Sequence, residues 1–521
     1  MKWNQGMNGA ESLIRSLVEA GVTTCFANPG TSEMHLVQAI DAVPEMRGVL
    51  CLFEGVCTGA ADGYARIAEK PAITVLHLGP GLGNGIANLH NARRAATPLI
   101  NLVGNHATYH VPLDAPLTSD IETLANNVSS WIKTDSTAAS LAGDGMKALA
   151  KSLSPSQGSE GRTATLIIPA EACWGEADSL AASLPVAGAE VVKSERISDV
   201  AKALSSSSML LIDREGLKPE ARLLAARIAA KVGCRISMTT FPARVDSGPG
   251  HPLVERLPYF PEDVTAAMAG VEHLVLVGAE RPVSFFAYPN QNSVLVPDGC
   301  LVQRLAAGHE DVIQALKDLC VEMGAEAVDP PRYEHQSLPD LEGKLTVRGV
   351  SNVIAKHMPE NSILCGDSGG GAAVLAPAQV SKAHTWLNLT GGSIGQGGPA
   401  AVGAAIAAPE RQVFALLGDG ASMYTNQALW TQARESLNVI TVIFNNQIYG
   451  ILETEYLRLG VNAVGEHAAQ LFNLAEPAID FVKLAESMGV PGRRAESVAE
   501  FEIALLEALE RNGPTLIEAM L

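Results

Sequence analysis

Apolar runs of strand length alternate along the chain with segments whose apolar residues recur at helical spacing. Leu13, Ile14, Leu17 and Val18 mark the first of these helices, and the run Val22 to Phe26 follows it as a strand. Several later runs stop at glycine or polar residues, where a turn into the next helix can begin. This alternation predicts an α/β fold of doubly wound, mostly parallel sheets flanked by helices.

Two irregular stretches divide this pattern into three parts. One lies near residues 176–190, and the other runs from about residue 329 to 345. We therefore predict three domains at residues 1–180, 190–326 and 345–521, each with its own sheet. A chain of 521 residues is long enough for three domains of ordinary size.

The clearest unit of the pattern spans residues 413–451. Its first apolar run, 413–417, stops at a Gly-Asp-Gly turn that contains Asp419. Its second run, 439–444, stops at an Asn-Asn pair that contains Asn446. A helical segment joins the runs, so the unit is βαβ and its strands are predicted to be parallel. Asp419 and Asn446 then share the carboxyl edge of the sheet, where open α/β sheets bind ligands.

The groups at this edge suit a metal-bridged diphosphate. Asp419 offers a carboxylate oxygen, Asn446 an amide oxygen, and the turn that follows can add a main-chain carbonyl. Completed by water and phosphate oxygens, such a set suits octahedral Mg²⁺. Gly420, Ala421 and Ser422 stand where a helix begins and can offer free N–H groups to a phosphate.

Taken together, the two motifs resemble the fingerprint of thiamine diphosphate enzymes, and they lie 27 residues apart. The layout is similar to the 2-oxo acid enzymes of that family, such as acetolactate synthase, pyruvate decarboxylase and benzoylformate decarboxylase, over nearly the whole chain. The resemblance implies a pyrimidine-binding first domain, a central domain and a diphosphate-binding third domain. It also implies a homodimer at minimum and commonly a homotetramer, with the cofactor between the first domain of one subunit and the third domain of its partner.

The resemblance also implies a set of binding residues. Metal ligands would be Asp419, Asn446 and the main-chain carbonyl of Ile448. The expected cofactor contacts are Pro29, Glu54, Ser368, Gly369, Gly370, Gly392, Ile394, Gly420, Ala421, Ser422, Asn446 and Tyr449. Ile394 would be the apolar wedge between the two cofactor rings, and the Gly392 carbonyl would meet the 4′-amino group.

Glu54 lies in the segment LFEGVCTGAADGYAR, which resembles the conserved glutamate segment of the family. A carboxyl group bonded to the pyrimidine N1′ favours the imino tautomer that can take a proton from the thiazolium. The alternative is a glutamate that stabilises the first turn of a helix.

His77 falls where benzoylformate decarboxylase has an active-site histidine, in the pattern strand-LH-x-GPG. A histidine there could relay a proton to or from a substrate oxygen, although a buried structural histidine is the alternative. His106 and His110 follow the next strand. Their spacing matches no histidine pair of the family, so their roles stay open.

The substrate pocket is expected to comprise Thr31, His77, Phe286, Ile451 and Leu452. Phe286 aligns with a second active-site histidine of benzoylformate decarboxylase, and Thr31 replaces its substrate-contacting serine. Leu452 stands where pyruvate decarboxylase has a catalytic glutamate. An apolar pocket of this kind suits a 2-oxo acid larger than pyruvate.

Composition excludes several other classes of protein. The net charge of −19 argues against nucleic acid and anionic membrane surfaces as partners. The chain has no apolar run long enough for a membrane span, and its eight scattered cysteines form no CxxC pair. We therefore expect a cytoplasmic protein with reduced thiols. FAD is not expected, because the first central strand ends in the acidic turn 212–216. Negative side chains at such a turn disfavour binding of a diphosphate group.

These patterns predict a thiamine diphosphate- and Mg²⁺-dependent enzyme that decarboxylates a 2-oxo acid, with or without carboligation to an acceptor aldehyde. One alternative is condensation of 2-oxo acids of the acetolactate synthase type. An alternative of another class is a non-catalytic regulatory subunit that binds the cofactor. A degenerate relative would be expected to lose Glu54, Asp419 or Asn446 first, and all three are present.

Overall fold

A computed structural model describes residues 6–134, 137–158 and 160–521. These residues form three sheets flanked by helices, so the predicted α/β fold class is confirmed. None of the helices in the described ranges is long and apolar enough to cross a membrane.

The first sheet lies in the amino-terminal part of the chain. Its strands are β1 (Thr24–Asn28), β2 (Arg47–Leu50), β3 (Ala72–Leu76), β4 (Pro98–Asn105), β5 (Trp131–Thr134) and β6 (Arg162–Pro169). They pair in the order β2-β1-β3-β4-β6-β5, and every pair is parallel. The accompanying helices are α1 (Gly9–Glu19), α2 (Met34–Ala42), α3 (Glu54–Ala68), α4 (Leu78–Ala95), α5 (Ile121–Asn126), α6 (Ala138–Leu153) and α7 (Ala170–Trp174). Parallel pairing brings the carboxyl ends of these strands to one edge.

The middle of the chain forms a smaller sheet. Its strands are β7 (Ser208–Ile212), β8 (Arg235–Met238), β9 (Arg244–Ser247), β10 (Glu255–Arg256), β11 (His273–Val277) and β12 (Leu301–Ala306). Its helices are α8 (Ser194–Ala203), α9 (Pro219–Val232), α10 (Pro261–Ala267) and α11 (Val312–Glu322). The sheet order is β10-β8-β7-β11-β12, and β9 leaves it to join the third sheet. The domain limits 1–180, 190–326 and 345–521 stay predictions, and β9 is a strand that crosses between two of them.

The third sheet carries the motifs that the sequence singled out. Its own strands are β13 (Ser362–Gly366), β14 (His384–Leu387), β15 (Val413–Gly418), β16 (Val439–Asn445), β17 (Gly492–Ala495) and β18 (Thr515–Met520). They pair in parallel in the order β17-β18-β16-β15-β13-β14, and β9 adds antiparallel to β14.

Ten helices accompany the third sheet in the described residues 345–521. They are α12 (Val347–His357), α13 (Gly369–Ala372), α14 (Leu375–Gln379), α15 (Gly397–Ala407), α16 (Asp419–Ser422), α17 (Ala428–Arg434), α18 (Gly450–Leu457), α19 (Glu466–Phe472), α20 (Phe481–Ser487) and α21 (Val498–Leu509). The helical segment predicted between the two runs is therefore two short helices, α16 at its start and α17 near its end, with the irregular residues 423–427 between them.

The glycine-rich segment 79–83 is helical, whereas the sequence predicted a turn there. It forms the first turns of α4, which begins at Leu78. Two of its three glycines, Gly79 and Gly81, allow neighbouring side chains to approach the helix closely. A Cβ on Gly79 would overlap the Ser119 hydroxyl, and one on Gly81 would lie 3.2 Å from a carboxylate oxygen of Glu54. Glycine is thus required by neighbouring atoms rather than by turn geometry.

Helices α3 and α15 join the first and third sheets within one chain. Both are lined with buried glycine and alanine, so their backbones lie close together. A Cβ on Gly63 would overlap the Ala400 carbonyl, and a Cβ on Gly403 would overlap the Ala60 carbonyl. The contact therefore depends on the absence of side chains at these two positions.

The substitution Gly403→Ala is expected to destabilise the protein by about 2 kcal/mol, because the added methyl group must push two helices apart. The matched control is Gly143→Ala in the interior of α6, where an added Cβ meets nothing within 4 Å. That control should stabilise the protein by about 0.5–1 kcal/mol, since alanine loses less backbone entropy in a helix. Thermal unfolding measures both variants, and equal stability of the two would contradict this account of the helix contact.

Candidate active site

The sheet register alone aligns three loops at the carboxyl edge of the third sheet. Gly366 pairs with Leu416, and Gly418 pairs with Phe444. The loops that follow these strands contain Ser368, Asp419 and Asn446, so they lie side by side. A Cβ on Gly418 would lie 3.3 Å from the Cβ of Ser368, which shows how closely two of the loops approach.

Asp419 is buried, with 5% of its surface exposed. One carboxylate oxygen accepts a hydrogen bond from Gly420 N–H at 2.8 Å, and the other accepts one from Gln447 N–H at 2.7 Å. Burial raises the pKa of this carboxyl group. A bound cation would offset that desolvation, because it favours the ionised form.

The residues beside Asp419 complete an oxygen-rich set. Asn446 is exposed, and its side-chain oxygen accepts a hydrogen bond from Ile448 N–H at 3.2 Å. Gln447 between them has a left-handed backbone, with φ of 57°, which turns the chain back over the edge. The carboxylate, the amide oxygen and the carbonyls of this turn are the ligand types that hard divalent cations prefer.

Backbone N–H groups on the neighbouring loop suit a diphosphate. Ser368 caps α13, and its hydroxyl oxygen accepts a hydrogen bond from Gly371 N–H at 3.0 Å. Gly369 and Gly370 follow it in the first turn. On the other loop, the ring of Tyr449 lies directly over Gly420, where a Cβ would overlap it. The predicted diphosphate contacts are therefore close to the predicted metal ligands.

Asp367 begins the segment Asp367 to Gly370, which resembles the family's other diphosphate loop, but its own role was not predicted from the sequence. Its carboxylate accepts hydrogen bonds from Gly395 N–H at 3.2 Å and Gly397 N–H at 3.1 Å. Burial raises its pKa to about 6. In the described part of the chain its second carboxylate oxygen is buried without a hydrogen-bond partner. Such an orphaned oxygen, beside a set of cation ligands and phosphate donors, fits a site built to receive a polar group.

The loop at residues 391–397 is held from two sides. Asn91 of α4 donates to the Ser393 carbonyl at 2.8 Å, and Thr425 donates to the Gly395 carbonyl at 2.7 Å. Gly392 has φ of 77°, and the Phe285 ring packs against it so closely that a Cβ would lie 2.5 Å away. Ile394 on the same loop is half-buried. The loop is therefore fixed before any ligand binds.

Glu54 is the first residue of α3, and 6% of its surface is exposed. Its carboxylate accepts a hydrogen bond from the Asn84 side chain of α4 at 2.9 Å. This is a tertiary contact rather than a bond to the first turn of its own helix. Its other oxygen and the Cβ of His77 both lie 3.2 Å from the position that a Cβ on Gly81 would take. Glu54 and His77 are therefore neighbours across the glycine.

His77 lies at the carboxyl end of β3, with 24% of its side chain exposed. Its Nδ1 lies 2.8 Å from a carboxylate oxygen of Glu33 and 3.2 Å from the Ser32 hydroxyl. Nearby Pro29 is half-buried, and Thr31, the predicted pocket residue, is exposed. The hydroxyl beside the histidine is thus that of Ser32, one position further along the chain.

The remaining pocket candidates form an exposed apolar surface. Phe286, Ile451 and Leu452 are 54%, 49% and 44% exposed, and Phe285 packs edge-to-face on Phe286 with ring centroids 4.7 Å apart. The structure thus places Phe285, rather than Phe286, directly against Gly392.

His106 and His110 are close to one another. Their ring centroids are 5.2 Å apart, and the rings are tilted by 56°. Within the described residues, His106 Nε2 is buried without a hydrogen-bond partner. The structure assigns no contact between this pair and Glu54 or His77, and their role stays open.

Family models match both ends of this arrangement. The description "Thiamine pyrophosphate enzyme, N-terminal TPP binding domain" fits residues 7–128, and "Thiamine pyrophosphate enzyme, C-terminal TPP binding domain" fits residues 366–519. The chain belongs to the thiamine pyrophosphate enzyme family. Thiamine pyrophosphate is the same compound as thiamine diphosphate, so the predicted cofactor and family are confirmed.

Relatives of this thiamine pyrophosphate enzyme match over almost their whole length. The protein "Putative acetolactate synthase large subunit IlvX" of Mycobacterium tuberculosis is 49% identical over 99% of both chains. Benzoylformate decarboxylase of Pseudomonas aeruginosa is 28% identical over 96% of both chains. The solved thiamine diphosphate-dependent 4-hydroxybenzoylformate decarboxylase of Rhodococcus jostii is 24% identical, with a TM-score of 0.84 over 99% of both chains, which shows the shared fold.

The residues that sequence reasoning missed in this thiamine pyrophosphate enzyme follow a simple pattern. Gly81, Asn84, Asn88 and Asn91 recur at intervals of three and four, which places them on one face of α4. Asn84 bonds Glu54, and Asn88 and Asn91 bond the loop at 391–397. Polar residues at helical spacing in the segment LGPGLGNGIANLHNARRA were the available signal.

The substitution Asp419→Ala is expected to weaken thiamine diphosphate binding at least 100-fold in the presence of Mg²⁺. Without the carboxylate, the metal loses its charged protein ligand, and the diphosphate charge is left without compensation. Titration calorimetry measures the affinity, with and without a chelator. The control is Asp318→Ala on the exposed face of α11, which should bind as wild type does. Unchanged affinity in Asp419→Ala, or in wild type with chelator, would contradict the metal assignment.

Proposed function

We propose that this protein decarboxylates a 2-oxo acid larger than pyruvate, using thiamine diphosphate and Mg²⁺, and releases the aldehyde or ligates it to an acceptor carbonyl. The observation that carries the proposal is the placement of Glu54 and His77 side by side across Gly81. When bound, the cofactor supplies the sink for the electron pair of the breaking carbon–carbon bond.

The chain's own residues have separate tasks in this proposal. Asp419, Asn446 and the Ile448 carbonyl hold Mg²⁺, and Ser368 with its neighbouring N–H groups holds the diphosphate. Glu54 holds a proton on the pyrimidine ring of the cofactor. His77 exchanges a proton with the substrate oxygen, because its ring is partly open while Nδ1 is already engaged. Phe286 and Leu452 cover the substrate and exclude water.

The choice of reaction rests on the pocket. The named relatives include both an acetolactate synthase large subunit-like protein and a benzoylformate decarboxylase. Bulky apolar side chains at Phe285, Phe286, Ile451 and Leu452 favour a substrate with a large apolar group. The turn NQIYGILETEY lacks the tryptophan of acetolactate synthases. Condensation of two pyruvate molecules remains the second candidate, which the 49% identity to the Mycobacterium tuberculosis protein favours.

Assembly is part of the proposal. We infer a cytoplasmic protein that is a homodimer at minimum and, as is common in the family, a homotetramer. Each site would combine the first domain of one subunit with the third domain of its partner. Large exposed apolar residues support an interface on the first domain, since Tyr109 and Leu113 are 71% and 70% exposed. FAD stays outside the expected cofactors, because the acidic side chain of half-buried Asp213 begins the first central turn.

Wild-type enzyme with thiamine diphosphate and Mg²⁺ is expected to release CO₂ from benzoylformate or branched 2-oxo acids faster than from pyruvate. Products are analysed with and without an aldehyde acceptor. Glu54→Gln should lower turnover by at least about 100-fold, while the exposed control Glu453→Gln retains it. Acetolactate from pyruvate alone, with no CO₂ from larger acids, would establish the second candidate. If none of the acids is turned over, the result would instead support a non-catalytic subunit that binds the cofactor.

Mixing two inactive variants tests the shared site. After subunit exchange, Glu54→Gln and Asp419→Ala should regain about a quarter of wild-type turnover, because random dimers contain one intact site in four. Neither variant should regain activity when exchanged with itself. The experiment is needed because the first and third parts of one chain also touch each other. Within one chain, Asn88 donates to the carbonyls of Gly55 and Gly395. No recovery in the mixture, with heterodimers shown by mass spectrometry, would place both halves of the site in one chain.

A further inference from the structure

Glu33 is a buried carboxylate that the proposed reaction does not use. It ends a short 3₁₀ turn, Thr31–Glu33, and none of its surface is exposed. One oxygen accepts from Gly30 N–H at 2.8 Å and lies 2.8 Å from His77 Nδ1. The other accepts from the Ser32 hydroxyl at 2.8 Å. Two donors, the Gly30 N–H and the Ser32 hydroxyl, therefore hold the carboxylate in place beside His77.

These contacts determine which nitrogen of His77 carries a proton. The Ser32 hydroxyl has a single hydrogen, and it is donated to Glu33. Its oxygen, 3.2 Å from His77 Nδ1, can then only accept. Both neighbours of Nδ1 are thus acceptors, so Nδ1 carries the hydrogen. In the neutral ring Nε2 is left with a free lone pair, and this is the nitrogen available to a ligand.

The backbone around His77 and Glu33 is shaped to fit this orientation of the His77 ring. Part of that backbone is strained, which lowers the stability of the fold. A Cβ on Gly30 would overlap the His77 ring, and a Cβ on Gly104 would overlap the Glu33 carboxylate. Leu78, directly after the histidine, has a left-handed backbone with φ of 47°, which is rare for leucine. Backbone strain of this kind persists where the neighbouring structure holds one arrangement, and it concentrates at functional sites.

We propose that Glu33 is a positioning residue that fixes the tautomer and orientation of His77, so that Nε2 exchanges the proton with the substrate. This inference rests on the proposed proton-transfer role of His77. The other titratable groups near the pair are Glu54, across Gly81, and Cys173 of α7. Burial, with a further effect from the Glu33 charge, raises the pKa of the Cys173 thiol to about 12, so this thiol stays protonated.

Glu33→Gln is expected to lower kcat about 10- to 100-fold with little change in KM, as loss of a carboxylate that orients a histidine does. An amide can donate to Nδ1 as well as accept from it, so the tautomer is no longer fixed. Glu33→Asp should recover part of the activity. The matched control is Glu502→Gln, which removes the carboxylate beside another histidine, His357, remote from the site.

A double-mutant cycle separates positioning from a structural role. In the His77→Ala background, Glu33→Gln should cost nothing further in kcat, whereas a structural role would cost the same in both backgrounds. Additive effects would overturn the proposal for Glu33 alone. Full turnover by His77→Ala would instead refute the role of His77 itself, and the proposal for Glu33 with it.

The tautomer is also measurable without turnover. Nitrogen NMR of protein labelled at histidine, with the His77 signals identified by their loss in His77→Ala, should show a protonated Nδ1 and an unprotonated Nε2. Glu33→Gln should show a mixture. A protonated Nε2 in the neutral ring of wild type would overturn the proposal whatever the substrate is. Thermal unfolding and thiamine diphosphate affinity of Glu33→Gln should stay close to wild type, and a loss of both with an unchanged tautomer would indicate a structural role.

Discussion

One buried ion pair, between Asp62 and Arg66 of α3, connects the first part of the chain to segments of the second and third parts. Their side chains are 0% and 3% exposed, and Arg66 donates to both Asp62 oxygens at 2.9 and 2.6 Å. The same guanidinium donates to the Ala243 carbonyl, directly before β9, and to the Asn388 carbonyl and Thr390 hydroxyl after β14. Burying two charges is costly unless every donor is matched, and here all five N–H groups of the guanidinium meet acceptors. The pair therefore stabilises a single arrangement of the three units.

Much of the fold followed from local patterns, because strands of parallel sheets are apolar and their carboxyl ends meet at one edge. The apolar runs predicted as strands at 413–417 and 439–444 agree with β15 (Val413–Gly418) and β16 (Val439–Asn445) to within one residue. The alignment of Asp419 with the Asn446 loop also followed, since it requires only a βαβ unit. Strands with few apolar residues, such as Trp131–Thr134 and Gly492–Ala495, gave no such signal and were missed.

The parts of the site that escaped prediction are contacts between distant segments. Glu33 and His77 lie 44 positions apart, and only the pairing of β1 with β3 brings them together. Asp367 was read as part of a glycine-rich loop, and its role in holding the backbone of residues 395–397 requires the packed sheet. Glycine motifs were equally ambiguous, because a sequence does not show whether a turn or a neighbouring atom demands the missing Cβ, as at Gly81.

Substitutions on the polar face of α4 and substitutions among the exposed apolar side chains have different consequences for the site. Gly81, Asn84, Asn88 and Asn91 tie the helix to Glu54 and to the loop at 391–397, so a substitution on this face disturbs several contacts at once. The bulky side chains of Phe286, Ile451 and Leu452 make none of these contacts and are 54%, 49% and 44% exposed. Lineages can therefore exchange them and acquire new substrates while the cofactor machinery is inherited unchanged.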